Sequence, residues 1–332
     1  MVRVIGILLV VFGHSVYVSM GQMNYTEFFQ AIGNSNITHY MQRIVGFAYS
    51  FHMPLFFYLS GLVYCITEKN YTDTSKFIAK KIDRLIIPAF IFGLFFMLPI
   101  KLNVGFYGEA SYLDIAKGIL RFQHSGHLWF LYSLFYCFVI FRTVRAITNN
   151  DLATIIIISS LILIGDSRFE ALLPGFQHVL SGYKGLMYFS IGYYLKKCSK
   201  DTLLIKTTTL VVLLSIHLLV LRIDIIKPLI LILSLELLSA FAVTFRALNK
   251  SRIISILTKY SFPIYIIHDP LNYAIIGAFV SIVPTTMDAD IYFTLFYICR
   301  TIIIIIASIL IWNLVECIKI NITNQVKAFN KA

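Results

Sequence analysis

Arg3 and His14 stand in one apolar run, Arg-Val-Ile-Gly-Ile-Leu-Leu-Val-Val-Phe-Gly-His, with ten residues between them. In a helix that separation turns about 1100°, close to three full turns, so the two side chains share a face. It also rises about 16 Å, roughly half of a hydrocarbon core about 30 Å thick. A cation then marks one membrane surface and a titratable imidazole lies near the midplane. Ionisable groups at that depth are expensive and usually mark a functional site. The plainer reading is an Arg that follows membrane charge rules and a His bonded to a neighbouring carbonyl, and residue types alone leave both open. Ser15 follows His14 but points about 100° away, so no nucleophile is forced beside the ring.

Further ionisable side chains fall in or near apolar runs, among them His52, His127, Lys184, His268 and Arg300, with Glu236 in the eighth run. His52 sits in Phe51-His-Met-Pro54 and His268 in Tyr265-Ile-Ile-His-Asp-Pro270. Each proline frees a helix carbonyl that the nearby His can take, which is the structural alternative to a functional role. His127, beside Trp129, also reads as an interfacial anchor. Lys184 and Arg300 are expected to face a polar interior, because lipid exposure costs at least about 2.5–3.5 kcal/mol for each. Together these residues predict a water-accessible cavity.

The chain that must position them has 332 residues, 58% hydrophobic and 13% charged. A soluble domain carries about 25% charged residues, so this is a polytopic membrane protein. Its polar segments are too short for a separate soluble domain, and 1–332 reads as one unit. The net charge of +12 is read by position, and no nucleic-acid partner is expected. The five cysteines are scattered singly, with neither metal-site spacing nor a disulfide framework. No metal is expected.

Apolar runs lie at about residues 4–20, 44–66, 85–100, 127–141, 152–164, 179–195, 203–221, 226–246, 262–283 and 291–315. The expectation is an all-α bundle of about ten spans. Lys and Arg gather in alternate loops, on the side that holds Arg3, Lys69, Arg142, Lys196, Lys250 and Lys319. Cytoplasmic loops carry that excess, so both termini are predicted inside. No small-x-small pair precedes Gly21, so the first run is expected to stay as a span and not to leave as a signal peptide. The outer loop 101–126 contains apolar residues at helical spacing from Tyr112 to Leu120, predicting an interfacial helix. The inner segment Ser75-Lys-Phe-Ile-Ala-Lys-Lys-Ile-Asp-Arg84 reads as a basic amphipathic helix entering the third span.

Arg3, Lys80, Lys81 and Arg84 then converge at the inner mouth of spans one and three. Positive-inside bias explains such a cluster, and so does an anion pocket, since Arg forks and Lys charges suit phosphates.

With these residues in view the chain resembles acyltransferase family 3, integral-membrane acyltransferases that modify sugars and lipids. Arg3-x10-His14 is similar to the family's signature in its first helix. Ser50-Phe-His-Met-Pro-Leu-Phe-Phe-Tyr-Leu-Ser-Gly61, Arg84-Leu-Ile-Ile-Pro88, His127-Leu-Trp-Phe-Leu131 and Ser261-Phe-Pro-Ile-Tyr-Ile-Ile-His268 follow in the family's order. The Ser50–Gly61 stretch looks most like the fucose 4-O-acetylase branch. Where the family often has Arg-x-Arg, this chain has Lys80-Lys-Ile-Asp-Arg84, and Lys81 takes the place of the first Arg.

The resemblance implies transfer of an acyl group, most simply acetyl, from acetyl-CoA or another acyl-CoA to a sugar hydroxyl. The acceptor would be an envelope polysaccharide or lipid-linked glycan, in the inner (plasma) membrane of a bacterium. Arg3, Lys81 and Arg84 would bind the coenzyme phosphates. His14 would be the general base, with Arg3 beside it in the signature. His52, His127, Lys184, His268 and Arg300 would line the substrate cavity, and Lys184, Arg300 or His52 would steady a developing oxyanion. The rival expectation is a glycan transporter or flippase using the same polar passage, and a third is a non-catalytic subunit of a polysaccharide synthase.

Overall fold

The computed structural model describes residues 2–16, 35–172, 177–197, 251–280 and 289–329. At 50, 162–172, 177–184, 277–280, 289 and 326–329 the description is of the backbone alone. Every regular element among these residues is helical. In chain order they are α1 (Val2–Val16), α2 (Asn36–Thr67), α3 (Thr74–Asn103), α4 (Tyr112–Leu120) and α5 (Trp129–Thr148). Then come α6 (Asp151–Leu172), α7 (Gln177–Lys197), α8 (Arg252–Val280) and α9 (Ala289–Phe329). Among the described residues, four helical stretches are long and apolar enough to cross a membrane: Asn36–Asn70, Thr74–Asn103, Gly126–Thr148 and Asp290–Gln325. The expected apolar runs 203–221 and 226–246 lie outside the described residues.

The interfacial helix expected in the loop is α4. Ser111 caps it by accepting from the Asp114 amide at 3.2 Å. The basic amphipathic helix is the first part of α3. Asp73 caps it, accepting from the Ser75 amide at 2.8 Å and the Ser75 hydroxyl at 2.7 Å. That hydroxyl, followed by the Lys76 and Ser75 amides, holds the exposed Asp73 carboxyl below its ordinary value.

Inside α3 two prolines set the backbone. Pro88 and Pro99 lack an N–H and crowd the carbonyl four residues back, those of Arg84 and Phe95. Both carbonyls fall in π-helical stretches, Ile82–Ile86 and Gly93–Met97. Each bulge adds a residue to a turn and changes which face the following residues present. The second bulge lies just before Lys101. That helix ends in a Schellman turn: Phe106 N–H donates to the Lys101 carbonyl and Gly105 N–H to the Leu102 carbonyl, both at 2.9 Å. Gly105 supplies the required left-handed φ of 74°.

Lipid tails are as apolar as Leu, so helices associate in a membrane through close packing. α2 and α7 show it most directly. A Cβ on Gly61 would stand 1.9 Å from the Phe189 carbonyl oxygen, and one on Gly192 would stand 2.0 Å from that of Tyr58. The two backbones touch, and aromatic rings surround the contact. Tyr64 lies 5.9 Å from Phe189 and 5.8 Å from Phe138, and Phe141 lies 4.7 Å from Tyr193. Gly61→Ala should therefore force the helices apart at a cost of about 1–3 kcal/mol or more. Thermal unfolding in detergent would register the lower midpoint. An unchanged midpoint in both Gly61→Ala and Gly192→Ala would rule out the backbone contact.

Polar ties fix the two ends of the bundle. At one end Tyr193 Oη donates to Glu68 at 2.7 Å, Arg145 lies 3.6 Å from Glu68, and Arg145 and Lys197 both pair with Asp151. Arg142 donates to the Tyr71 carbonyl at 2.8 Å. At the other end Asp290 accepts from the Ser35 hydroxyl at 2.7 Å and the Ile37 amide at 3.2 Å.

Candidate functional site

Four segments meet around one buried carboxylate, Asp269 of α8. His14 Nδ1 of α1 lies 3.1 Å from its Oδ1. Lys101 Nζ of α3 lies 2.7 Å from its Oδ2, and His127 Nδ1, in the turn leading into α5, lies 3.1 Å from the same oxygen. The Asp269 and Lys101 side chains are 4% and 3% exposed, while His14 keeps 30%. His14 is thus the accessible member. Its Nδ1 faces an acceptor and so carries the proton, which leaves Nε2 with a lone pair for an incoming hydroxyl.

Pro270 explains how His127 reaches this place. It withdraws the amide that would bond the Ile266 carbonyl. That carbonyl accepts from His127 Nε2 at 2.9 Å instead. The bond is returned, because Tyr265 Oη of α8 donates to the His127 carbonyl. Both ring nitrogens of His127 face oxygen atoms, Nδ1 that of Asp269 and Nε2 that of Ile266. The glycine before it completes the turn. Gly126 has φ 50°, and a Cβ there would stand 3.3 Å from Lys101 Nζ and 3.1 Å from Met97 Sδ.

Proline thus frees a carbonyl as expected, but its partner comes from another helix. His268 bonds the carbonyls of Ile264 and Tyr265 at 3.1 and 2.7 Å. His52 Nδ1 bonds that of Ala48 at 3.1 Å, and not the Ser50 carbonyl that Pro54 frees. His268 still belongs to the site. Its ring lies between those of His14 and His127, 5.0 and 5.1 Å away. His52 stands apart. It lies 4.6 Å from Tyr49, whose ring is 6.2 Å from His14. His127 is buried beside α8, bonded to Asp269 and the Ile266 carbonyl.

Arg300 of α9 is 1% exposed and reaches α1, donating from Nη1 to the Ser15 carbonyl at 3.1 Å. The Ser15 hydroxyl donates within the bundle, 2.8 Å from the Val11 carbonyl and 3.2 Å from Asn272 Oδ1. It is turned away from any nucleophilic role beside His14. Lys184 lies on α7, and its side chain is outside the described residues.

Arg3 and Lys81 line a separate cavity of about 290 Å³. Ile7, Phe56, Ser60 and Phe138 form its sides, and Phe130, Ser261 and Tyr265 carry it along α5 and α8. The Lys81 ammonium rests 3.5 Å from the centre of the Phe138 ring. Arg84 is exposed and is not among the residues that line this cavity. His14 is not among them either. Tyr265 joins the two regions: it borders the cavity, and one turn further on stands Asp269.

Two site residues escape a reading of the sequence alone. Lys101 opens what looks like an outer loop, and Asp269 hides behind its neighbour His268. The signals available were the Asp-Pro pair at 269–270 and the position of Lys101 four residues before Gly105.

A helical membrane bundle with a polar centre of imidazole, carboxylate and ammonium, and a basic cavity beside it, defines an integral membrane protein with a working interior. Residues 1–313 match the model of the acyltransferase domain of acyltransferase family 3, and the chain belongs to that family. It is a membrane acyltransferase. No curated protein and no solved structure matches the chain.

Proposed function

We propose that the protein transfers an acyl group, most simply acetyl, from acyl-CoA to a sugar hydroxyl of an envelope polysaccharide or lipid-linked glycan. The observation that carries this is His14 held through Nδ1 by Asp269, with Nε2 left for substrate. His14 Nε2 takes the hydroxyl proton as the oxygen attacks the thioester carbon. The new C–O bond forms, the C–S bond breaks, and the proton passes to the departing thiolate. The Lys101 ammonium adds positive charge beside the carboxylate, which favours the anionic transition state.

Arg3 and Lys81 hold coenzyme phosphates at the cavity mouth, and the acyl arm passes Phe130 and Tyr265 toward His14. Ten spans with both termini in the cytoplasm, a bacterial inner membrane and a place in the fucose 4-O-acetylase-like branch complete the reading. The basic mouth and a histidine about 16 Å further along α1 support it, because cytosolic coenzyme and an outward-facing acceptor then meet without the coenzyme crossing.

The test uses the purified chain in nanodiscs with acetyl-labelled acetyl-CoA and surface glycans as acceptors. Label appearing as an ester on the glycan supports the proposal. Glycan translocation without esterification would favour the transporter instead. Arg3→Ala and Lys81→Ala should each raise the KM for acyl-CoA about ten- to a hundredfold, the loss of one charge-assisted contact. Their KM for the acceptor should stay level, and the reverse pattern would move the coenzyme elsewhere.

A further inference from the structure

We propose that Lys101 is a positioning residue for His14: it acts through Asp269, never touching substrate, by neutralising and aiming the carboxylate that fixes the ring. The inference rests on the reading of His14 as the base.

The surroundings of the ammonium are built for this. Lys101 Nζ lies 2.7 Å from Asp269 Oδ2, and both side chains are nearly fully buried. The Phe106 and Tyr273 rings stand over it at 4.6 and 4.7 Å from their centres. Phe106 is there because the Schellman turn folds it back over the last helical turn, its amide bonded to the Lys101 carbonyl. Gly126 leaves the remaining side open, where a Cβ would stand 3.3 Å from Nζ. A surface lysine needs none of these devices.

The arrangement also divides the labour between the two carboxylate oxygens. Oδ2 is occupied by Lys101 and His127, so Oδ1 is the oxygen that meets His14. The titratable groups facing Asp269 come from four other elements: His14 on α1, Lys101 on α3, His127 before α5 and, further off, Arg300 on α9. Lys101 is the closest of them. Without it, Oδ2 loses its strongest partner, and the carboxylate is free to turn toward His127 and away from His14.

Lys101→Met, Lys101→Arg and Gly126→Ala test this in nanodiscs. The Met variant should lose kcat by about 10², as a small misplacement of a reacting group does. Its dissociation constant for acyl-CoA, set at the far cavity, should stay within about twofold of wild type. Lys101→Arg keeps the charge and should recover most of the loss. Gly126→Ala keeps every charged group yet crowds the ammonium, and should resemble Lys101→Met. If the Met variant does not fold, Gly126→Ala decides alone. A kcat near wild type in the deciding variant, or equal losses in the Arg and Met variants, overturns the proposal.

Nitrogen-15 spectra of labelled histidine give a readout that needs no turnover. His14, assigned by its absence in His14→Gln, should be protonated at Nδ1 in wild type and a mixture of tautomers in Lys101→Met. Unchanged His14 signals in that variant also overturn the proposal. A wild type with the expected spectrum but no acyl transfer would strike the proposed function and leave the Lys101–Asp269–His14 arrangement standing.

Discussion

His14→Gln should lower kcat/KM for acyl transfer by about 10²–10⁴, the usual worth of a general base. In free energy that is about 2.7–5.5 kcal/mol of lost transition-state stabilisation. Glutamine is the informative replacement, because its amide can still donate toward Asp269 Oδ1. The Lys101–Asp269 pair, 2.7 Å apart, is then left in place. Loss of activity reports the missing lone pair and not a disturbed core. Coenzyme binding should be untouched, since eleven helical positions put Arg3 about 16 Å from the ring. The measurement is labelled acetyl transfer in nanodiscs beside equilibrium binding of acyl-CoA. Activity within tenfold of wild type would mean that another group takes the proton. Binding lost together with activity would mean that the ring holds the fold instead.

How far the sequence carries can be judged residue by residue. Helical periodicity placed Arg3 on a helix face toward a cavity, and Lys81 meets it there from α3. Arg84 misses that cavity because α3 winds through the π segment Ile82–Ile86, which contains it. No count based on 3.6 residues per turn anticipates such a bulge. The chemistry of Pro270 was legible: a carbonyl had to be freed. Its partner was not, because His127 is distant in the chain and equally reads as an interfacial anchor beside Trp129. His268 and Asp269 are adjacent, about 100° apart on a helix, and only the packing of α1 and α3 against α8 decides that the carboxylate is the centre. Lys101 illustrates the same limit from the other side. A lysine in the last turn before a glycine is an ordinary helix ending. Whether its ammonium points to water or folds inward depends on Asp269 lying opposite, which no local pattern encodes.

Asp269→Asn tests the centre of that arrangement and should have the largest effect on stability. The amide fills the same volume but leaves Lys101, 3% exposed, with no counter-charge. Breaking a buried pair by removing one partner costs about 3–5 kcal/mol, most of it the desolvation of the charge left behind. A lower thermal midpoint and weaker expression in the membrane are therefore expected, beside a transfer activity close to that of His14→Gln. The two losses have separable causes, and a second substitution divides them. Adding Lys101→Met removes the stranded charge, so the double variant should recover most of the lost stability. It should recover little activity, since His14 Nδ1 still lacks a carboxylate to hold it. Recovery of both together would make Asp269 a structural ion pair with no part in orienting the base. Recovery of neither would mean that the bonds from His127, and not the charge of Lys101, carry the fold at this point.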